Sequence, residues 1–217
     1  MNSFILIPAY NADKFLNKLV TEIRNITNIF ILIIDDGSNT KLELDFKNCM
    51  VIRKEQNEGK GSALRDGFRW GIKNNYRYVI TLDADGQHPP QFINDFLNTN
   101  NNIDLVLGYR SFTSKMPINR RLSNFLTSKM ISLRIGKNIY DSQCGYRKYS
   151  LDKLKNYQFQ EDRFMFETEV LLKTVKKKSK LHQIKIPTIY ADEISSIKNF
   201  STTINFIKLY LRSLFKW

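Results

Sequence analysis

Short apolar runs alternate with amphipathic helical patterns over the first half of this 217-residue chain. Continuous rather than alternating apolar runs are typical of strands that are buried on both faces. Strands that alternate with helices predict an α/β fold, with a mostly parallel central sheet and helices on both of its faces. The predicted strands are Phe4–Ile7, Ile29–Ile34, Met50–Arg53, Tyr78–Leu82 and Leu105–Leu107, and the helices between them are Lys14–Asn25 and Gly61–Lys73.

The second half of the chain is less regular but continues the same pattern. Helices are predicted at Arg120–Ile135 and Phe166–Val175, and the stretch DSQCGYR between them is predicted to be a loop or a short strand. A last strand is predicted at Lys185–Tyr190, where Pro187 indicates the edge of the sheet or a bend. No internal repeat or linker is visible, so residues 1–200 are predicted to form one domain.

Polar clusters follow several of the predicted strands, at the edge where such sheets bind ligands. One cluster, IIDDGS, is explained by a tight turn alone. The stretch NEGKGSALRDGF opens a helix with glycines and Lys60, which favours either a phosphate contact or a glycine-permitted turn, equally. It is not a P-loop, because the glycine that this pattern requires is replaced by Lys54.

The stretch TLDADGQHPP is the most specific of these clusters, and it permits three interpretations: a turn, a phosphatase nucleophile loop or a clamp for a divalent metal. An EF-hand is excluded because the twelfth position counted from Asp83 is Asn94 rather than glutamate. Asp83, Asp85 and Gln87 offer hard oxygen ligands that suit Mg²⁺ or Mn²⁺. His88, next to two prolines, is interpreted as a loop residue.

A formal net charge of +13 predicts an anionic partner, which could be nucleic acid, an acidic membrane or a phosphorylated substrate. The last residues, 201–217, are predicted to form a basic amphipathic helix. Within it, Lys208, Arg212 and Lys216 form one stripe among apolar side chains. This pattern is typical of a helix on an anionic membrane surface and equally of a helix packed on the domain.

The two cysteines, Cys49 and Cys144, form no disulfide framework and no metal-ligand spacing, which favours a reducing compartment. The apolar N-terminal run is too short for a signal sequence and leads directly into Pro8. A run of about 18 apolar residues, as a membrane-spanning helix requires, is absent from the sequence. A cytoplasmic protein is therefore expected.

Seven motifs together resemble those of the family 2 glycosyltransferases of the GT-A fold: IPAYNA, DDGS, NEGKGSALRDGF, DADGQHPP, GYRS, DSQCGYR and FETEVL. They occur in the family's order and cover the chain from about Phe4 to Tyr190. The chain most resembles the dolichol-phosphate mannosyltransferase-like subgroup, whose members load sugars onto polyprenyl phosphates. This resemblance implies a nucleotide-diphosphate-sugar donor, and it makes a phosphatase a poor alternative.

The resemblance also assigns roles by position. Asp83, Asp85 and Gln87 match the metal and diphosphate site, and Arg110 matches a basic group that holds a phosphate. Glu167 resembles the acid that faces the acceptor. The remaining candidates are Pro8, Ala9, Tyr10 and Asn11 for the base and ribose, Asp36 for the base, and Lys60, Arg120, Arg121 and Ser123 for donor or acceptor phosphates.

The expected reaction is a metal-dependent displacement with inversion at the sugar, in which Asp85, Arg110 and Glu167 are the catalytic candidates. A polyprenyl-phosphate acceptor would need no base and would place the enzyme at the inner face of the membrane, whereas a glycan hydroxyl would need Glu167 or Glu169 as the base. The segment SSIKNF departs from the subgroup and leaves Lys198 as a weak phosphate candidate. A basic module that binds membrane or nucleic acid is the non-enzymatic alternative, but strand-end acids would repel phosphate without a metal; nucleic acid is not an expected partner.

Overall fold

A computed structural model describes residues 2–110, 118–187 and 199–217 of the chain. Within these residues the backbone forms one mixed sheet flanked by helices. Its seven strands are β1 (Ser3–Ala9), β2 (Ile31–Asp35), β3 (Cys49–Arg53), β4 (Tyr78–Thr81), β5 (Leu105–Arg110), β6 (Arg147–Ser150) and β7 (Leu181–Ile186).

The strands are arranged in the order β3-β2-β1-β4-β6-β5-β7. All neighbouring pairs are parallel except those made by β6, which runs antiparallel to β4 and to β5. The predicted α/β fold with a mostly parallel sheet is confirmed. Because β6 is reversed, the loop that precedes it arrives at the same edge as the loops that follow the parallel strands.

Helices cover both faces of the sheet, and the alternation of side chains along β1 shows why. Phe4 and Leu6 belong to one core cluster, whereas Ile5 and Ile7 belong to the other. The helices are α1 (Asp13–Arg24), α2 (Lys60–Lys73), α3 (Ile93–Leu97), α4 (Ile118–Ile135), α5 (Leu151–Leu154), α6 (Phe166–Thr174) and α7 (Asn199–Lys216). The helices α1 and α3 contribute to the Ile5 cluster, and the other five contribute to the Phe4 cluster.

The last strand differs most from its prediction. It begins at Leu181 and ends at Ile186, so the predicted range Lys185–Tyr190 is shifted towards the C-terminus. In LHQIKI only Ile186 is buried, and His182 and Lys185 are exposed, as expected of a strand at the edge of the sheet. Pro187 follows the strand immediately, and residues 188–190 lie outside the described part of the chain.

The C-terminal helix α7 has apolar residues on two faces. Phe206 and Leu209 are buried in the Phe4 cluster, so one face of α7 packs on the domain. The opposite face exposes Ile204, Ile207, Leu211, Leu214 and Phe215. Across residues 2–110, 118–187 and 199–217, none of the helices has the length and apolarity that crossing a bilayer requires.

Candidate active site

The loops after β1 and β2 interlock at the carboxyl edge of the sheet. The backbone N–H of Asn11 donates to Oγ of Ser38 at 2.9 Å, and Oδ1 of Asn11 accepts from the N–H of Asn39 at 2.8 Å. Asn11 adopts a left-handed φ of 50°, which asparagine tolerates better than most residues. Pro8 and Ala9 are buried beneath this junction. Tyr10 is 49% exposed, so its ring is accessible to a ligand.

Asp36 connects the loop after β2 to the start of α2. Its carboxylate accepts backbone N–H groups from Gly59 at 2.7 Å and from Glu58 at 3.2 Å, and it pairs with Lys54 at 3.3 Å. Asp36 is only 3% exposed. The geometry therefore gives this carboxylate a structural task, and its contact with a nucleotide base stays a prediction.

The glycines at the start of α2 permit close packing. A Cβ on Gly61 would lie 2.5 Å from Cβ of Phe166, and Gly59 adopts a φ of +107° that favours glycine. The N–H of Ser62 donates to the carbonyl of Asp162 at 2.9 Å. Because Asp162 and Asp36 take these amide groups, the structure favours the tight-turn interpretation of NEGKG over a phosphate cradle.

Lys60 instead directs its side chain into the centre of the candidate site. Its Nζ lies 2.6 Å from Oδ1 of Asp83 and 2.9 Å from Oε2 of Glu167. Burial opposes the charged lysine, but Asp83 and then Glu167 outweigh it and hold the pKa of Lys60 above its ordinary value. Three of the predicted site residues, from distant parts of the sequence, thus meet in one ionic cluster.

The loop after β4 is held by backbone hydrogen bonds. The N–H of Asp83 donates to Nδ1 of His88 at 3.0 Å, and the N–H of Gln87 donates to Oδ1 of Asp85 at 2.9 Å. His88 is 4% exposed, and burial lowers its pKa. His88 is therefore a buried residue whose ring helps to fix the loop that carries Asp83 and Asp85. The sequence predicts only a loop residue at this position.

The two aspartates have opposite electrostatic behaviour. Burial acts to raise the pKa of Asp83, but Lys60 outweighs it and lowers that pKa well below the ordinary value. Burial and the nearby charge of Asp83 raise the pKa of Asp85. Asp85 therefore lies in a negative electrostatic potential, and a bound cation would stabilise its charged form.

Gly145 lies directly against Asp83 and Lys60. A Cβ at this position would lie 2.7 Å from Oδ2 of Asp83 and 2.9 Å from Nζ of Lys60. Only a glycine lets the loop before β6 pass this close to both groups.

Arg110, at the end of β5, is fixed by Asp141. Its Nε and Nη2 donate to the Asp141 carboxylate at 2.7 and 3.2 Å. Asn124 of α4 also donates to that carboxylate, at 2.8 Å. Burial opposes both charges, but each partner outweighs it, so the pKa of Arg110 is raised and that of Asp141 is lowered.

Arg147, the last residue of the motif DSQCGYR, lies at the site although no role was predicted for it. It is fully buried, and its guanidinium donates to the carbonyls of Ser142 and Cys144 at 2.7 Å each and of Glu167 at 3.0 Å. It therefore joins the loop before β6 to the start of α6. The antiparallel direction of β6, which brings Arg147 there, was not predictable from the motif alone.

The two candidate glutamates are used differently. Oε1 of Glu167 is buried without a hydrogen-bond partner, close to Lys60 and Arg147. Glu169 is fully buried, accepts the backbone N–H groups of Gln160 and Glu161, and pairs with Lys173. The structure therefore excludes Glu169 from the acceptor side, and only Glu167 remains as a candidate base.

The remaining phosphate candidates lie at the start of α4. Arg120, Arg121 and Ser123 are exposed there, whereas Asn124 is the α4 residue that reaches the Arg110–Asp141 pair. Lys198 lies outside the described residues.

The residues present fit a divalent cation that shares its shell with a ligand. In residues 2–110, 118–187 and 199–217, no three Asp, Glu, His or Cys side chains form a ready-made metal cluster. Asp83 and Asp85 would supply two carboxylates, and Gln87 an amide oxygen. This partial oxygen shell suits Mg²⁺ or Mn²⁺, which commonly take substrate phosphates and water as their other ligands.

Two relatives are similar over most of this chain. The chain is 30% identical to a UDP-N-acetylglucosamine–dolichyl-phosphate N-acetylglucosaminyltransferase of Methanococcus voltae, over 97% of this chain and 94% of the relative. It is 29% identical to an undecaprenyl-phosphate mannosyltransferase of Micrococcus luteus, over 75% of this chain and 76% of the relative.

Crystal structures share the fold at lower identity. Glucosyl-3-phosphoglycerate synthase from Mycobacterium tuberculosis, crystallised with UDP, superposes with a TM-score of 0.75 at 16% identity, over 97% of this chain and 79% of that one. Structures of that synthase with Mn²⁺ or Mg²⁺ in addition to UDP superpose with a TM-score of 0.74. The sheet is therefore that of the GT-A fold. The sequence profile described as glycosyl transferase family 2 matches residues 4–158, and the chain belongs to this family of glycosyltransferases.

Proposed function

We propose that this glycosyltransferase uses a divalent metal to transfer a sugar from a nucleotide diphosphate to a polyprenyl phosphate at the inner face of the membrane. The observation that carries the proposal is the cluster of Lys60, Asp83 and Glu167 beside the Arg110–Asp141 pair. It combines acids that suit a metal with cations that suit phosphate. The relatives from Methanococcus voltae and Micrococcus luteus, named for lipid-phosphate acceptors, support the acceptor class.

The barrier in such a transfer is the charge that develops on the leaving diphosphate. The bond from the anomeric carbon to the diphosphate oxygen breaks with its electron pair on that oxygen, while an acceptor oxygen bonds to the opposite face of the carbon. A cation bound by Asp83, Asp85 and Gln87 would supply Lewis-acid stabilisation of that charge. Arg110 adds a fixed positive charge, and Asp141 keeps its guanidinium oriented before the substrate arrives.

A phosphate acceptor is already anionic near neutral pH, so the reaction needs no general base. Lys60 would then offset charge between donor and acceptor, and Glu167 would hold its ammonium in place. A hydroxyl acceptor on a glycan is the second candidate. It is favoured by Oε1 of Glu167, a buried atom that accepts no hydrogen bond, although it lies 3.7 Å from Nε of Arg147.

The membrane part of the proposal rests on α7 and on the net charge of +13. Five large apolar side chains are exposed on the outer face of α7, with Lys208 and Lys216 exposed on the same helix. Arg212 instead pairs with Glu161 at 2.6 Å, so it does not belong to the exposed basic stripe.

A transfer assay tests the acceptor. Labelled nucleotide sugars are offered one by one with undecaprenyl phosphate or dolichyl phosphate in detergent, and with a soluble sugar acceptor in parallel. We expect the lipid fraction to be labelled with at least one donor, and Asp85→Asn to reduce that label by about 100-fold or more. Transfer to the soluble hydroxyl alone would overturn the lipid acceptor and support the second candidate.

A further inference from the structure

The first half of helix α4 has an inverted distribution of polar and apolar residues, whereas Ile131 and Ile135 in its second half are buried in the Phe4 cluster. On the inner side of α4 Asn124 and Ser128 are buried, at 1% and 3% exposure. Its outer side exposes large apolar residues over its whole length, and a helix on a water-facing surface has the opposite pattern. The exposed residues are Ile118, Leu122, Phe125, Leu126 and Leu133.

The polar inner side belongs to the candidate active site. Asn124 donates to Asp141, which in turn holds Arg110. Ser128 donates to Oγ of Ser142 at 3.0 Å, in the loop before β6. Phe125 follows Asn124 directly but is 55% exposed. The width of one helix, about 10 Å, therefore separates the exposed apolar side from the residues that orient Arg110.

A cation interrupts the apolar face of α4. Lys129 is exposed within this face, whereas Arg120, two residues before Leu122, is exposed on another side of the helix. Apolar residues interleaved with cations complement an anionic lipid surface, where the apolar side chains enter the headgroup region and the cations meet lipid phosphates. A second copy is a poor occupant, because a twofold interface would bring Lys129 of two chains, each carrying +13, close together.

The C-terminal end of α4 contacts the helix for which a membrane role is proposed above. The Arg134 side chain donates to the carbonyls of Ser213 and Trp217 at the end of α7, at 3.1 and 2.7 Å. We infer that α4 is a second bilayer-docking helix, which sets the active site at the surface of an anionic membrane. The inference rests on the proposed lipid acceptor, because docking there would let its phosphate reach Arg110 while its chain stays in lipid.

Vesicle binding tests the docking without any substrate. The full chain is sedimented with phosphatidylcholine vesicles that contain or lack phosphatidylglycerol, and without polyprenyl phosphate. We expect Leu122→Ser/Phe125→Ser to weaken binding to the anionic vesicles about tenfold, since two apolar contacts with lipid are lost. Met50→Ser is the matched control, because Met50 is 43% exposed on the edge strand β3 at the other side of the sheet. It should bind like the wild type.

Binding by the double variant at the wild-type level would overturn the inference, as would a wild-type protein that ignores anionic vesicles. A wild-type dimer in sedimentation velocity that the double variant splits would also overturn it, in favour of a second copy. If the double variant fails to fold, Phe125→Trp replaces it. Its fluorescence should shift to the blue with anionic vesicles and be quenched by brominated lipid, and an unchanged spectrum would overturn the inference.

A water-soluble short-chain prenyl phosphate separates this inference from the proposed function. The double variant should transfer sugar to this acceptor at the wild-type rate but should lose transfer to undecaprenyl phosphate in vesicles. Wild-type protein that binds vesicles through α4 but transfers to neither phosphate would refute the proposed acceptor and retain the docking helix. Equal losses with both acceptors would refute the docking role.

Discussion

Substitution of Asp85 is the most direct test of the metal hypothesis. Its raised pKa, caused by burial and by Asp83, describes a carboxylate that a cation would stabilise. We expect Asp85→Asn to lower kcat/KM by about 100-fold or more, the loss typical of removing one stabilising group from a charged transition state. Calorimetric titration with UDP and GDP should also lose its dependence on Mn²⁺. Nucleotide binding that ignores both Mn²⁺ and the substitution would refute a metal at this site.

Gly145 tests how tightly the Lys60–Asp83 pair is enclosed. In Gly145→Ala the new methyl would lie 2.7 Å from Oδ2 of Asp83, so the carboxylate or the lysine must move. We expect at least about a tenfold loss of kcat/KM, because displacement of a positioned group by a fraction of an ångström is costly. Gln143→Ala, at an exposed position of the same loop, is the control and should retain activity. Full activity in Gly145→Ala would mean that the pair has room to adjust.

Asp141 links stability to pH. Its pKa is lower in the folded protein than the ordinary carboxyl value, because Arg110 outweighs the effect of burial. The stabilisation is therefore complete above about pH 4 and is lost as the pH falls through the folded pKa. Asp141→Asn should lower the free energy of unfolding by about 3 kcal/mol at pH 7, because it leaves the buried charge of Arg110 uncompensated.

Urea unfolding at pH 7 and at about pH 3 measures this difference, which should shrink at the lower pH because Asp141 binds a proton more readily in the unfolded chain than in the folded protein. Asp152→Asn is the control, because Asp152 is exposed and pairs only with surface cations. A constant difference between wild type and Asp141→Asn would contradict the assignment.

Some features of the site were predictable from a local sequence pattern, and others were not. The DADGQ spacing permitted a metal clamp beside a turn or a phosphatase loop, since strand-end acids with an amide oxygen are a local feature, and the metal site stays a prediction. The convergence of Lys60 and Glu167 on Asp83 depends on helices that are distant in sequence, and only the resemblance associated them with one site. Gly145 and Arg147 acquire their positions from the reversed direction of β6, which no local pattern signals.

At the level of secondary structure, α7 tests whether its two apolar faces have separate tasks. Leu209 is 2% exposed and lies in the core, whereas Leu211, two residues later on the same helix, is 49% exposed. We expect Leu209→Ala to lower the free energy of unfolding by about 2–4 kcal/mol and Leu211→Ala by less than about 1 kcal/mol. Urea denaturation of both variants measures the contrast. Equal losses would show that the outer face is also covered in the folded protein.

The same helix shows how far periodicity reaches. Its apolar residues predicted a helix but could not decide between packing and membrane contact, because an apolar stripe looks alike in both settings. The structure shows that the inner stripe packs, and the outer stripe remains available for the membrane proposal. The strands β1, β2 and β4 were predictable because burial on both faces requires continuous apolar runs, whereas the edge strand β7 lacks that signal.

Over the whole molecule, the order of seven motifs was enough to identify the family, which the family profile over residues 4–158 confirms. The acceptor was not predictable in the same way. In the proposal made above, acceptor recognition depends on the outer faces of α4 and α7, where only general apolar and basic character is required.

The distribution of charge over the molecule gives a last prediction, which concerns the proposed anionic membrane. Increasing NaCl from about 0.1 M to 1 M shortens the screening length from about 10 Å to about 3 Å. Vesicle binding should therefore weaken about tenfold if exposed lysines approach lipid headgroups.

Lys208→Gln/Lys216→Gln should reduce this salt dependence, because both side chains are exposed on α7. Lys14→Gln/Lys18→Gln removes the same charge from α1, which packs on the other face of the sheet. Equal effects of the two pairs would show that the total charge of +13, rather than an oriented basic surface, attracts the protein to the membrane.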